Sequence, residues 1–165
     1  MWQDDGFFKG EKADVQVSLQ RLATLMKMAY ETYTALSTQE LTRQPAPGKW
    51  SKQQVLGHLI DSAINNLKRF TDAQIMEQPY HLISYDQEGL MEVNHYNELP
   101  IEHLLGLWQS LNQQIIFVAE RIPETILAYP IDPQYEKTGT KNLAWLICDY
   151  VAHMEHHFHS ILFIS

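Results

Sequence analysis

Four histidines crowd into seven positions near the end of this chain: His153, His156, His157 and His159. Of these, His153 and His157 have the spacing that does chemistry. Four positions along a helix separate two side chains by about 40° in direction and about 6 Å in rise, so both imidazoles can reach one ion. His156 falls about 60° to the other side of His153, and His159 points largely away. Those two read as solvated or outer groups.

A third imidazole, His58, stands far upstream in Gly57-His58-Leu59-Ile60-Asp61. Three neutral nitrogens with a coordination position left open suit metal-assisted chemistry better than structural metal. By ligand type, Zn or Ni fits such a set, and Fe(II) fits as well. A divalent ion held there lowers the pKa of water or of a thiol enough to give a nucleophile near neutral pH. The bland alternative is a polar patch near the chain end, since histidine pairs at this spacing also arise by chance.

Other polar residues near these three have double readings. Asp61, one turn beyond His58, could orient an imidazole or act as a base, although the spacing favours a solvated helix residue. Asp86, with Tyr85, could close a pocket or simply form a turn. Asn65, Asn66 and Arg69 follow His58 along its helix and could hold an anionic group of a cofactor, against a solvated flank as the plainer reading. Glu155 points away from the direction shared by His153 and His157 and reads as surface. His81, His95 and His103 read as surface too, with His81 or His95 able to line a pocket mouth. Cys148 lacks a basic neighbour and reads as a structural thiol.

Four amphipathic segments must position these groups. In the first, Val15, Leu19, Leu22, Met26, Tyr30 and Tyr33 recur at threes and fours. The second opens at Ser51, where Ser-Lys-Gln-Gln makes a capping box with Gln54, and carries Leu56, Leu59, Ile60, Ala63, Leu67 and Phe70. The third opens near Pro100 and ends at Pro123, burying Ile101, Leu104, Leu105, Trp108, Leu111, Ile115 and Val118. The fourth starts near Thr140 or Asn142 and aligns Leu146, Tyr150, His153, His157, Ile161 and Ile164. Trp50 is expected to pack where the second helix starts, with Trp108 and Trp145 as apolar anchors.

Four such helices in one domain spanning 1–165 predict an all-α four-helix bundle. The stretch Glu77–Leu99 is too long for an ordinary bundle loop, and a short helix is expected around Gln87–Tyr96. Pro123–Gly139 reads as a second irregular crossing.

The bulk properties narrow the function. Hydrophobic residues make up 45% of the chain and charged residues 19%, the balance of a folded soluble domain. A net charge of -8, with the Lys and Arg scattered, argues against nucleic acid as a partner. A single cysteine excludes an internal disulfide and suggests a reducing compartment. Met1–Lys12 lacks the pattern of a signal peptide, and no window reaches the length of a membrane span. A cytoplasmic protein acting on a small molecule, with no membrane partner, is the expectation.

The stretch Gly48-Lys49-Trp50-Ser51, then Val55-Leu56-Gly57-His58-Leu59-Ile60-Asp61-Ser62, resembles the signature of the DinB/YfiT-like four-helix metalloproteins. Leu143 to Ile161, with His153-Met154-Glu155-His156-His157, is similar to that family's last helix, and Tyr85-Asp86 with Asn94-His95-Tyr96-Asn97 to its middle segment. The resemblance implies an up-down-down-up bundle with a long crossover between its second and third helices. It also implies a metal held by His58, His153 and His157. Members include transferases and isomerases in which the metal activates a low-molecular-weight thiol such as bacillithiol, and others described as metal-dependent hydrolases. By that likeness the expected activity is thiol S-transfer to an electrophile. The alternatives are hydrolysis by metal-bound hydroxide and a non-catalytic, stress-associated metal-binding role. Members often dimerise, which leaves room for a homodimer here.

Overall fold

The computed structural model describes residues 11–134 and 141–162. Its helices are α1 (Lys12–Thr34), α2 (Thr38–Thr42), α3 (Lys52–Asp72), α4 (Gln87–Asn94), α5 (Ile101–Glu120), α6 (Glu124–Leu127) and α7 (Leu143–Leu162). Three short strands, β1 (Tyr80–His81), β2 (Pro130–Asp132) and β3 (Lys141–Asn142), and a 3-10 turn at Tyr96–Glu98 complete the described elements.

Capping chemistry fixes where the long helices begin. Ser51 caps α3 as its sequence predicts: its hydroxyl accepts from the Gln54 N–H at 3.1 Å, and its own N–H donates to Gln54 Oε1 at 2.9 Å. Such a cap is worth about 1 kcal/mol. Asn142 opens α7, its Oδ1 accepting from the Trp145 N–H at 2.8 Å. Pro100 precedes α5 in extended conformation. This helix stops at Glu120, short of Pro123, because a proline excludes helical geometry from the residue before it. Pro123 instead begins α6.

Side-chain contacts give the helix directions. Tyr33, late in α1, meets Phe158, late in α7, edge to face at 6.5 Å, and Arg21 pairs with Glu155 midway along the same seam. These two helices run parallel. Phe70, late in α3, meets Tyr150, early in α7, at 5.8 Å, so α3 is antiparallel to α7. Gln53 at the start of α3 donates to the Leu99 carbonyl just before α5, at 2.8 Å, so those helices start side by side and run parallel. The result is the up-down-down-up bundle.

Parallel neighbours cannot be joined by a short turn. The chain must therefore return the length of the bundle between α3 and α5, and α4 with a 3-10 turn at Tyr96–Glu98 forms on that return. The other crossing meets it in a small sheet. Tyr80 pairs with Ile131 and His81 with Asp132 in parallel, and β3 adds antiparallel through Pro130–Asn142 and Ile131–Lys141. Two- and three-residue strands are too short to show alternation, so this region of the sequence reads as irregular.

The core runs the length of the bundle through Leu22, Leu56, Leu59, Leu104, Trp108, Ile115 and Ile147, all fully buried. One expected core residue is not there: Tyr30 is 49% exposed, and Ala29 takes the inward position. α1 packs against both α5 and α7, so its buried surface broadens through Leu25 and Ala29 rather than following one narrow stripe.

Candidate metal centre

The imidazoles of His58, His153 and His157 converge between α3 and α7, each offering a nitrogen within 4.8 Å of the others'. The His58 and His153 Nε2 atoms are 3.2 Å apart. Ring centroids lie 4.7 Å apart for His58 and His157, and 4.6 Å apart for His153 and His157. The antiparallel crossing makes this possible, because it sets an early turn of α3 beside the later turns of α7. His58 is buried, while the α7 pair is half-buried, so the cluster opens on the α7 side.

Burial sets the protonation of these rings. It is the largest influence on all three and disfavours the charged form. His153 is pushed down to about 3, with the neighbouring His157 and His58 adding repulsion. Burial takes His157 down to about 4, with His58 and His156 adding repulsion, and burial lowers His58 too. At neutral pH the three are therefore uncharged imidazoles, the form that binds a metal. Trp50 packs on His58 with ring centroids 5.0 Å apart, which limits the freedom of that ring.

Asp61 differs from its expected place in solvent: it is 5% exposed. The Tyr96 hydroxyl donates to its Oδ1 at 2.6 Å and Asn94 Nδ2 donates to the same atom at 3.2 Å. Burial raises the Asp61 pKa, against the lowering effect of the Tyr96 bond. Tyr96 can lie this close because Gly57 carries no side chain. A Cβ on Gly57 would stand 2.1 Å from Tyr96 Cδ2.

The remaining candidates hold the scaffold together. Asn65 Nδ2 donates to the Asp61 carbonyl of its own helix at 2.8 Å. Arg69 donates to the Ile83 carbonyl at 2.6 Å and lies over the Tyr85 ring at 5.5 Å, so it pins the start of the crossover. Asp86 is exposed and caps α4 through the Gly89 N–H at 3.0 Å, the turn-forming alternative. Glu155 pairs with Arg21, joining α7 to α1. His81 pairs with Asp132 at 2.9 Å, His95 occupies a left-handed conformation after α4, and His103 is exposed. Cys148 is fully buried, and burial pushes its thiol up to about 11, which leaves it inert as a nucleophile.

Periodicity gave no role to Tyr96, Asn94 or Gln53. Gln53 is buried, with Nε2 donating to the Tyr96 and Leu99 carbonyls at 2.6 and 2.8 Å. The run Asn94-His95-Tyr96-Asn97 was the available signal, as part of a familiar middle segment, but it carried no chemistry of its own.

Comparison with known proteins gives consistent results. The profile described as the DinB superfamily matches residues 5–161. A protein of Oceanobacillus iheyensis named "Putative metal-dependent hydrolase" is 26% identical over 144 residues, covering 87% of this chain and 81% of its own. One of the same name from Halalkalibacterium halodurans is 24% identical over 147 residues, covering 89% and 84%. Among solved structures, YfiT from Bacillus subtilis, described as a probable metal-dependent hydrolase with an unusual four-helix bundle topology, superposes with a TM-score of 0.74. It is 21% identical and covers 95% of this chain and 87% of its own. A mycothiol-dependent maleylpyruvate isomerase gives a TM-score of 0.63 at 12% identity, over 86% of this chain and 59% of its own.

Proposed function

The chain belongs to the DinB superfamily, and from that premise we propose that it is a metal-dependent enzyme in which His58, His153 and His157 hold one divalent transition metal. The observation that carries this reading is the donor set: three uncharged imidazoles converging with no carboxylate or thiolate among them. That set fits Zn or Ni, and Fe(II) also, while leaving room for a reactant.

When bound, such an ion acts as a Lewis acid that makes a thiol or water nucleophilic near neutral pH. The protein's own part is positional. Trp50 holds the His58 ring, and the α7 pair faces it from the more open side. With the rings already neutral, metal binding displaces no protons from them at neutral pH.

Our reading of the reaction is transfer of a low-molecular-weight thiol to a small electrophile. Its support is that a thiol-dependent isomerase is built on the same fold. A hydrolytic reaction is the second reading, favoured by the names of relatives about one quarter identical to this chain. Arg69 and Asn65, the candidate anchors for a thiol cofactor, each place one donor nitrogen on a scaffold carbonyl and keep further polar groups beyond that bond.

The test uses tag-free protein loaded with Zn(II) or Ni(II). Thiol-dependent loss of a chromogenic aryl halide supports transfer, and thiol-independent release from a chromogenic ester supports hydrolysis. Metal binding with neither activity across a broad panel would leave a non-catalytic metal protein. Absence of metal binding would sink all three.

A further inference from the structure

Among the described residues, Asp61 is the only buried carboxylate. A buried carboxylate is costly unless its oxygens are satisfied, so its presence on an inward face needs a reason. One oxygen is accounted for: Oδ1 takes both the Tyr96 hydroxyl and the Asn94 amide. The other, Oδ2, takes no hydrogen bond among the described residues.

Helical geometry says which way this group faces. At about 100° per residue, Asp61 projects between the directions of Gly57 and His58. Tyr96 fills the Gly57 side, its ring against the glycine and its hydroxyl on Oδ1. His58 lies on the other side, a helical neighbour at about 5–6 Å between Cβ atoms. Asp61 does not belong to the group of converging metal donors, which consists of the three histidines. It stands beside them with one oxygen tied back and one untied.

We propose that Asp61 Oδ2 accepts the proton given up when the nucleophile forms at the three-histidine centre, with Tyr96 and Asn94 as the residues that position it. This rests on the metal-enzyme reading above. The S–H bond of a thiol, or an O–H bond of water, breaks; its electron pair stays on sulfur or oxygen, and the proton bonds to Oδ2. The neutral acid then returns the proton to the leaving group or to solvent. If Asp61 only fastened the crossover to α3, Oδ1 alone would suffice.

That difference defines the experiment. Asp61→Asn keeps an Oδ1 that accepts from Tyr96 and Asn94 but cannot take a proton. In Zn(II)-loaded protein we expect unchanged melting temperature and metal content with turnover down about 100-fold or more. A readout independent of turnover is the Asp61 carboxyl carbon resonance, identified by its loss in Asp61→Asn, which should shift when Zn(II) is added to metal-free wild type. Wild-type turnover in Asp61→Asn, or a resonance that Zn(II) leaves in place, overturns the proposal. If Asp61→Asn does not fold, Tyr96→Phe decides: about a tenfold loss of turnover with metal retained supports it, and no loss overturns it. A wild-type protein that takes up no metal overturns the enzyme reading itself, and is told apart because it shows before any variant is made.

Discussion

His58 Nε2 and His153 Nε2 lie 3.2 Å apart across the seam between α3 and α7, brought together from positions 95 residues apart. At that distance one ring donates and the other accepts, and His157 has no third place in the same bond. A cation between them would satisfy all three nitrogens at once. Protein purified without a tag should therefore carry one metal per chain by elemental analysis, and His153→Ala should lose it. At free metal 100 times above the dissociation constant, binding adds about 2.7 kcal/mol to stability. A chelator should remove that increment from wild type and leave His153→Ala unmoved; equal metal content in both proteins would refute the assignment.

Acid should destabilise the metal-free protein through the same rings. His153 falls from 6.5 to about 3 and His157 from 6.5 to about 4 on folding, so below 6.5 the unfolded chain binds protons more readily. Their contribution is intact above 6.5 and is lost as pH falls toward those folded values. Asp61 is shifted upward and has the opposite sign, its penalty easing as it protonates. The measurement is the melting temperature of metal-free wild type and His153→Ala between neutral and mildly acid pH. Wild type should lose stability more steeply than the variant, and parallel curves would contradict the burial argument.

Gly57→Ala sets two effects against each other. Alanine in a helix gains about 1 kcal/mol over glycine, but its Cβ would meet Tyr96 Cδ2 at 2.1 Å. The ring is itself buried, and forcing such a ring aside costs about 1–3 kcal/mol. We expect net destabilisation in urea unfolding. In a Tyr96→Ala background the same change should become neutral or stabilising, so the two sites should couple strongly. Stabilisation by Gly57→Ala alone would mean that Tyr96 does not lie where it is described.

The contrast between Ser51 and Tyr96 shows what a sequence can disclose. The Ser51 cap is local: donor and acceptor lie three residues apart, and the capping pattern is visible in the chain. The helical stripes and the His153–His157 spacing are likewise local, and so were legible. The Tyr96–Asp61 bond spans 35 residues and depends on how the crossover lies on α3. No periodicity encodes that, so Asp61 read as a solvated helix residue. Gln53 had no role in the sequence for the same reason, since a buried glutamine serving two carbonyls looks like any polar helix residue until the crossover is in place. His58 was an intermediate case: its own helix was legible and ligand chemistry made it a candidate third donor, and the resemblance pointed to the same residue.

Tyr150 offers a test of core polarity separate from the metal. Its hydroxyl donates to Asn112 Oδ1 at 2.6 Å, and Asn112 Nδ2 donates to the Trp108 carbonyl at 2.8 Å, all of it buried between α5 and α7. Tyr150→Phe keeps the ring against Phe70 but leaves Asn112 Oδ1 without its donor. An unsatisfied buried acceptor costs about 1–3 kcal/mol, whereas removing both polar partners can be nearly neutral. Urea unfolding should therefore show a loss of that size for Tyr150→Phe and a partial recovery when Asn112→Leu is added. Metal content should not change, because Tyr150 contributes no nitrogen to the histidine cluster although it lies one turn before His153 on α7. If Tyr150→Phe instead released the metal while sparing stability, the bond to Asn112 would belong to the site rather than to the core.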